Sequence, residues 1–190
     1  MPSALETLQS LTKHLERLQQ NYMLIGGYAL PYYGLIRATI DIDIAIALHL
    51  PDPTQLKREL EHAGFQISSF SEQTPCFVIT DTKSMTEIQA WIKPDGIVMD
   101  AECLRRRNRV SIKGFDFWIV GPEDLIVSKL ARTDRRAQDE VDVLSILGNS
   151  RLKLDALYLH TIATRAGILP LLHGLQKKMN RQGIENRKSI

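Results

Sequence analysis

The segment from Ile40 to Leu48 reads IDIDIAIAL, with an isoleucine at every second position up to Ile46. This alternation predicts a β-strand, because successive side chains of a strand point to opposite faces of a sheet. The isoleucines supply one apolar face. Asp41 and Asp43 share the other face, with their Cα atoms ~6.6–7 Å apart. The chain is therefore expected to build a sheet that is buried on one face and carries two carboxylates on the other.

Two carboxylates at this spacing favour a cation site. They repel each other, and a hard divalent ion such as Mg²⁺ or Mn²⁺ prefers carboxylate oxygen and keeps some of its own waters. Two such ions ~3.5–4 Å apart can activate an attacking oxygen and stabilise a leaving phosphate oxygen. The alternative is that Asp41 and Asp43 lie on a solvent-facing strand without a ligand.

Gly26 and Gly27 stand between a predicted strand at 22–25 and a short predicted helix at 28–33. Without side chains, backbone N–H groups at such a bend can approach a triphosphate closely. The alternative is an ordinary turn. A glycine pair and a D-x-D strand in one strand–turn–helix–strand unit together predict a phosphate cradle beside a metal clamp.

The remaining pattern predicts a mixed sheet with flanking helices, of the α/β (α+β) class. Ser3 and Glu6 form a capping box that opens the first helix, which carries a leucine stripe and ends near Asn21. Further strands are predicted at 65–70, 76–80, 85–92, 109–113 and 115–120, and further helices at 52–64, 98–107, 121–132, 138–147, 155–167 and from 170 onward. Residues 1–120 are expected to form the core, and residues 121–190 a helical region packed on it.

Composition limits the functional classes. The chain has 190 residues, and no stretch approaches the ~20 apolar residues of a membrane-spanning helix. The N-terminus lacks a basic region followed by an apolar block, so secretion is not expected. Cys76 and Cys103 fit no metal-ligand spacing and suggest a reduced, cytoplasmic setting.

The formal net charge is +2, but it is unevenly distributed. The tail from 173 to 190 carries five Lys or Arg residues and one Glu, and a second basic cluster spans 105–113. Such clusters suit phosphate-rich partners, although most charge runs are solvated surface. A small DNA-binding protein is one hypothesis that the basic tail alone suggests.

The run GGYALPYYGLIRATIDIDIAI, residues 26–46, resembles the signature of the DNA polymerase beta-like nucleotidyltransferase superfamily. Its R-x-T element at 37–39 is similar to the AbiEii-type minimal nucleotidyltransferases of abortive infection systems. A second block, with PEDLI at 122–126, Lys129 and DVL at 142–144, resembles the P-E-D-L-I…K…D-V-x-x-L block of that group.

The resemblance implies a nucleotidyltransferase fold and Mg²⁺-dependent transfer of a nucleoside monophosphate from an NTP to an acceptor hydroxyl. Asp41 and Asp43 match the metal carboxylates of the family. The positions that match its nucleotide and phosphate contacts are Gly26, Gly27, Arg37, Thr39 and Lys129. Arg37 could instead hold the loop before the strand, and Lys129 could be a solvated or ion-paired helix residue.

The third carboxylate departs from the family pattern. Members usually carry an Asp on a later strand, as a metal ligand and as a base toward the acceptor. Here the strand at 85–92 offers Glu87, with Gln89 on the same face; Asp100 is the rival, in the predicted helix that follows. The extra methylene of Glu moves its oxygens by over an ångström, a shift that can lower a rate about 100-fold.

Two further acids, Asp139 and Asp142, lie three residues apart on one helix face and match acidic positions of the family. The alternative is that they are helix-surface acids near Arg135 and Arg136. The five histidines lack metal-ligand spacing, and Trp91 and Trp118 are interpreted as packing residues of strands.

Two functional hypotheses follow. The first is an intracellular metal-dependent nucleotidyltransferase acting on an RNA such as a tRNA end, or on a protein hydroxyl. In this hypothesis the chain is the toxin of a toxin–antitoxin pair with a cognate antitoxin, and no membrane is involved. The second is a module of the same fold that binds nucleotide or protein but has lost turnover, which the Glu at position 87 would explain.

Overall fold

A computed structural model describes residues 2–35, 39, 41–48, 53–68 and 76–188. Outside this described part of the chain lie Arg37, Ile40, the first residue of the helix predicted at 52–64 and the last two residues of the strand predicted at 65–70.

The described residues form one seven-stranded mixed sheet with helices. The strands are β1 (Asn21–Ile25), β2 (Ile42–Ala47), β3 (Phe65–Ser68), β4 (Cys76–Asp81), β5 (Glu87–Trp91), β6 (Asn108–Ile112) and β7 (Phe115–Ile119). The helices are α1 (Ala4–Arg17), α2 (Pro53–His62), α3 (Ala101–Arg105), α4 (Pro122–Ala131), α5 (Ala137–Gly148), α6 (Ala156–Arg165) and α7 (Leu169–Lys188). The strand order is β3-β4-β5-β2-β1-β7-β6. The β2–β5 and β1–β7 pairs are parallel, and the other neighbours are antiparallel.

The alternation in β2 produces the two-faced strand that the sequence predicts. Ile42, Ile44 and Ile46 are buried, whereas Asp43 is half-buried and Asp41 is exposed. The buried face continues into neighbouring strands and is covered by apolar stripes of α1 and α2. The fully buried members of those stripes are Leu8, Leu11, Leu15, Leu56 and Leu60. The opposite face of β2 carries the half-buried Asp43 and the buried Ala45.

Several element ends differ from the predicted ones for local reasons. The capping box of Ser3 and Glu6 is confirmed. The segment predicted as one short helix at 28–33 is two 3₁₀ segments, Gly26–Tyr28 and Leu30–Tyr33. The helix predicted at 98–107 spans only Ala101–Arg105, because Asp100 caps it by accepting a hydrogen bond from the backbone N–H of Cys103, 2.9 Å away.

The chain divides into two compact units. The first contains Met1–Ala29, Ala38–Pro94 and Val98–Val120, and therefore the whole sheet. The second contains Gly121–Ile190 together with two short excursions, Leu30–Arg37 and Asp95–Ile97.

Buried carboxylates organise the helical unit. Glu123 accepts a hydrogen bond from the backbone N–H of Asp155 (2.7 Å), and Asp124 accepts one from the hydroxyl of Tyr158 (3.1 Å). The acids of the PED sequence at the start of α4 thus anchor the start of α6. Within the described residues, no helix combines the length and the apolarity needed to cross a membrane.

Candidate functional site

The glycine pair follows β1 and lies directly beside the acidic face of β2. Ile25 pairs with Asp43 in the antiparallel β1–β2 register, so the next residue, Gly26, passes the Asp43 side chain. Gly26 has φ +63°, and a Cβ there would lie 2.5 Å from Oδ2 of Asp43. Only glycine satisfies both the left-handed backbone and this close approach.

Gly27 is held close to the loop that leads into β2. A Cβ at Gly27 would lie 2.5 Å from Oγ1 and 2.7 Å from Cβ of Thr39. The hydroxyl of Thr39 donates to the backbone carbonyl of Asp41, 3.3 Å away. The backbone of the glycine pair therefore lies directly against Thr39, which precedes the start of β2.

The parallel pairing of β2 with β5 brings the other predicted polar residues to the same face. Asp43 pairs with Gln89, and Ile42 pairs with Ile88. Asp41 and Glu87 directly precede Ile42 and Ile88, Asp41 just outside β2 and Glu87 as the first residue of β5. Both are exposed. Because paired residues of adjacent strands share a face, the register places Asp43 and Gln89 on one face, with Glu87 two residues before Gln89 on the same face.

The donors of this face suit a hard divalent cation. In the described part of the chain, no group of three or more His, Cys, Asp or Glu side chains is close enough to hold a metal ion. Mg²⁺, however, is commonly bound by one or two carboxylates together with substrate phosphates rather than by an all-protein cage. Asp41 and Asp43 provide two carboxylates, and the space that a Gly26 side chain would fill adjoins Oδ2 of Asp43. The residues therefore fit a cation that arrives with a phosphorylated substrate.

Sequence reasoning missed two neighbours of Asp43. The indole Nε1 of Trp91 donates a hydrogen bond to Oδ1 of Asp43 at 3.1 Å. Cys76 pairs with Trp91 across β4 and β5, and burial together with the Asp43 charge raises the pKa of its thiol to about 11. The available signal was the alternation of β5, since Trp91 is two residues beyond Gln89 and so shares its face.

Lys129 is buried in an ion-pair cluster of the helical unit. Its Nζ lies 3.0 Å from Oδ1 of Asp139 and 2.8 Å from Oδ2 of Asp142. Gln138 donates to the other oxygen of Asp142. Burial raises the pKa of Asp139, but the backbone N–H of Arg136 and the Lys129 ammonium lower it by more, so the pKa lies below its usual value. The two acids are buried, not surface residues as the alternative interpretation held.

The other predicted charges have local partners. Asp100 caps α3. In the basic cluster, Arg105 and Arg106 both bond Glu102, while Arg107 bonds the carbonyl of Tyr22. Arg109 bonds Glu16. The guanidinium groups of Arg107 and Arg109 also lie 4.8 and 5.2 Å from the ring centroid of Trp118. Much of the positive charge of this segment is therefore engaged within the molecule.

The fold is shared with solved nucleotidyltransferase-like structures. An antigenic nucleotidyltransferase-like protein from Paracoccidioides brasiliensis is 20% identical, with a TM-score of 0.52 over 90% of this chain and 91% of that chain. The lincosamide antibiotic adenylyltransferase LnuA, solved with lincomycin bound, is 14% identical, with a TM-score of 0.51 over 74% and 94% of the two chains. The antibiotic-resistance factor ANT(2'')-Ia is 13% identical, with a TM-score of 0.53 over 90% and 95%. These likenesses confirm the predicted nucleotidyltransferase fold class.

The sequence comparisons place the chain in a family. No curated protein sequence matches it. The family model described as nucleotidyltransferase of unknown function, DUF6036, matches residues 2–170. Because this match covers most of the chain, the protein belongs to the DUF6036 family of nucleotidyltransferases.

Proposed function

We propose that the protein transfers a nucleoside monophosphate from an NTP to an acceptor hydroxyl and releases pyrophosphate. The observation that carries the proposal is the close approach of Gly26 to Asp43, where a side-chain-free backbone lies beside a carboxylate oxygen that a Cβ would approach to 2.5 Å. A triphosphate needs both features, since its oxygens accept hydrogen bonds and its charge requires a cation.

The proposed cofactor is Mg²⁺, or Mn²⁺ in its place, held by Asp41 and Asp43. Glu87 is proposed as a third ligand once substrate is bound. When bound, the ion supplies positive charge that offsets the negative charge growing on the phosphate oxygens during displacement.

The residues of the chain bind and orient the reactants in this proposal. Gly26 and Gly27 present backbone N–H groups to the phosphates, and Thr39 and Arg37, which precede β2 in the sequence, are proposed as further contacts. The acceptor oxygen forms a bond to the α-phosphorus while the bond from that phosphorus to the pyrophosphate oxygen breaks. The proton of the acceptor hydroxyl passes to the Glu87 carboxylate and then to water.

Lys129 is proposed as a positioning residue of the helical unit. Its ammonium is buried against two carboxylates, which supports the ion-paired role more than the phosphate contact that the family resemblance implies. Asp139 and Asp142 are proposed to hold that ammonium in place.

The acceptor is proposed to be an RNA or protein hydroxyl, in line with the AbiEii-type resemblance and its toxin–antitoxin setting. LnuA and ANT(2'')-Ia are both described by their relation to antibiotics, so the hydroxyl of a small molecule is a third class of acceptor to test beside RNA and protein. Arginines of the basic cluster pair with Glu102 and Glu16, but the basic tail adds further positive charge, so RNA and protein acceptors are both tested.

The test is label transfer from each of the four α-³²P-labelled NTPs, with Mg²⁺, into total RNA, cell extract and lincosamide or aminoglycoside antibiotics. We expect transfer by the wild type and a loss of about 100-fold or more in Asp41→Asn and Asp43→Asn. Asp116→Asn, a change of an exposed aspartate on β7, is the matched control. Equal labelling by the Asp43→Asn variant and the wild type would overturn the assignment.

A second candidate function is nucleotide binding without turnover. The observation that favours it is Glu87, which is exposed at the first residue of β5 in place of the usual Asp. Calorimetry with NTP and Mg²⁺ separates the two functions, because binding without transfer to any acceptor supports the binding module. Glu87→Asp then shows whether the side-chain length alone prevents turnover.

A further inference from the structure

Trp91 is the last residue of β5 and lies on the acidic face of the sheet. Its main chain pairs with Ala45 of β2, two residues beyond Asp43, so the indole is a diagonal cross-strand neighbour of the Asp43 carboxylate. The indole N–H reaches Oδ1 of Asp43 at 3.1 Å. In the sheet, β5 lies between β4 and β2, so this hydrogen bond joins two neighbouring strands.

The chemistry of the indole gives this hydrogen bond a fixed direction. The indole N–H is a donor only, so its partner is held as an acceptor. A bond from a neutral donor to a carboxylate is stronger than one between two neutral groups. The ring is half-buried and has only two side-chain torsions. The rotation of the Asp43 carboxylate is therefore tied to a rigid, packed group.

The second oxygen of the same carboxylate lies on the side of the glycine pair. A Cβ on Gly26 would lie 2.5 Å from Oδ2 of Asp43 and 3.2 Å from Cγ of the same aspartate. The two oxygens of Asp43 thus face different neighbours, the indole on one side and the bare backbone on the other. Ligand carboxylates are commonly oriented by such hydrogen bonds, and removal of the donor typically lowers metal affinity or activity 10–100-fold.

We propose that Trp91 is a positioning residue for Asp43, with the indole N–H fixing the carboxylate so that its Oδ2 side is presented to the cation of the nucleotide. This inference rests on the proposed function, since it assigns a cation to Asp43. A tryptophan that only packs would be replaceable by phenylalanine, which keeps an aromatic ring but has no N–H.

The experiment uses Mn²⁺ as the probe, together with a saturating non-hydrolysable NTP analogue because the proposed cation arrives with the nucleotide, and it needs no turnover. The chain contains two tryptophans, so Trp118→Phe leaves Trp91 as the single indole. In this background we measure protein-bound Mn²⁺ during titration by the enhancement of water-proton relaxation, and the indole N–H signal of Trp91 by ¹⁵N NMR before Mn²⁺ is added. Trp118→Phe alone is the control for loss of an indole elsewhere in the same sheet.

We expect Trp91→Phe to raise the Mn²⁺ dissociation constant about tenfold or more, whereas Trp118→Phe leaves it unchanged. The indole signal of the single-tryptophan protein should shift when Asp43→Asn removes the charged acceptor. Unchanged Mn²⁺ affinity in Trp91→Phe, with Asp43→Asn abolishing binding, would overturn the role of Trp91 and leave the proposed function intact. Equal Mn²⁺ binding by Asp43→Asn and the parent would overturn both.

A second replacement covers the case in which Trp91→Phe fails to fold. Benzothienylalanine, incorporated in place of tryptophan in the Trp118→Phe background, keeps the two-ring shape of indole and replaces its N–H with sulfur. We expect the same loss of Mn²⁺ affinity as with phenylalanine. Retained affinity in this folded analogue would show that ring packing, not the N–H group, is what Asp43 needs.

Discussion

Gly26 and Asp43 are so close that a methyl group on the glycine would lie 2.5 Å from Oδ2 of the aspartate. The contact follows from the register of two antiparallel strands, in which Ile25 is paired with Asp43 and the chain then turns with φ +63° at Gly26. Two residues that are 17 positions apart in the sequence are thereby brought into direct proximity.

Gly26→Ala should therefore lower both stability and activity. We expect the free energy of unfolding to fall by about 1–3 kcal/mol, because alanine is strained at positive φ and its methyl group displaces the carboxylate. Transfer activity should fall by about 100-fold, since misplacement of a reacting group by about 1 Å has that effect. Urea unfolding and the label-transfer assay measure the two quantities.

Other glycines of the chain separate the two causes. Gly114 has φ +85°, and a Cβ there would meet no atom within 4 Å, so Gly114→Ala reports backbone strain alone. Gly27→Ala reports the clash with Thr39, and Gly174→Ala, in open space within α7, should be neutral or slightly stabilising. If Gly26→Ala loses no more activity than Gly114→Ala, the contact with Asp43 has no catalytic consequence.

Cys76 should react with alkylating agents only slowly at neutral pH. The reactive form is the thiolate, and with a pKa of about 11 only about one thiol in a thousand is ionised at pH 8. The alkylation rate should rise about tenfold per pH unit up to that pKa. Asp43→Asn should shift the profile to lower pH, because the Asp43 charge contributes to the raised pKa.

Mass spectrometry distinguishes Cys76 from the fully buried Cys103, whose inaccessibility makes it the internal control. Rapid labelling of Cys76 at pH 7, at the rate of a free thiol, would contradict the arrangement of Cys76, Trp91 and Asp43.

The ionised Asp81 carboxylate should stabilise the fold at neutral pH, and this stabilisation should be lost at strongly acidic pH. Its carboxylate accepts hydrogen bonds from the Thr7 and Ser84 hydroxyls, both 2.8 Å away, and from the backbone N–H of Lys83 at 2.9 Å. Burial raises the pKa of Asp81, but these bonds lower it by more, so the net pKa lies below the ordinary value of 3.8. A lowered pKa gives stability that is fully present above about pH 4 and is lost as pH falls through the folded-state value.

We therefore expect Asp81→Asn to lower the free energy of unfolding by about 1–2 kcal/mol at pH 7 and by progressively less as pH falls below about 4. Urea unfolding at several pH values measures the difference, with the exposed Asp116→Asn as the control. A difference that does not change with pH would mean that the charge of Asp81 does not stabilise the fold.

Local patterns predicted the elements of the sheet, because each depends on residues close in sequence. The alternation of β2, the capping box of Ser3 and the strands predicted at 109–113 and 115–120 all depend on a few neighbouring residues. The start of α3 was predicted less accurately, because an aspartate such as Asp100 can lie within a helix or cap its first turn. The hydrogen bond from the backbone N–H of Cys103 to the Asp100 carboxylate shows that Asp100 is the cap.

The partner of Asp43 depends on strand order, which no local pattern gives. Trp91 lies beside Asp43 because β5 is the parallel neighbour of β2. The alternation of β5 places Trp91 on the same face as Gln89, but it does not reveal that β2 is the neighbouring strand. The burial of Asp139 and Asp142, in contrast, had a signal in the sequence. Both share a helical stripe with Val143 and Ile146, at steps of three and four residues, so the acids occupy positions that normally hold core residues.

The buried pair of Lys129 and Asp142 should be strongly coupled. The Lys129 side chain is 5% exposed and that of Asp142 is 0% exposed, so removal of the cation leaves a buried carboxylate without its counter-charge. We expect Lys129→Met to lower the free energy of unfolding by about 3–5 kcal/mol. Lys57→Met, which breaks a surface pair with Glu61 at 3.8 Å, should change it by no more than about 0.5 kcal/mol.

A double-mutant cycle with Asp142→Asn tests the coupling. The double variant should be more stable than the sum of the single losses predicts, by about 1 kcal/mol or more, because the orphaned charge is then gone. A Lys129→Met protein that unfolds like the wild type but binds NTP weakly would instead support the phosphate contact implied by the family resemblance. Additive losses in the cycle would show that Asp139 alone holds the lysine, since it is the other carboxylate within 3.0 Å of Nζ.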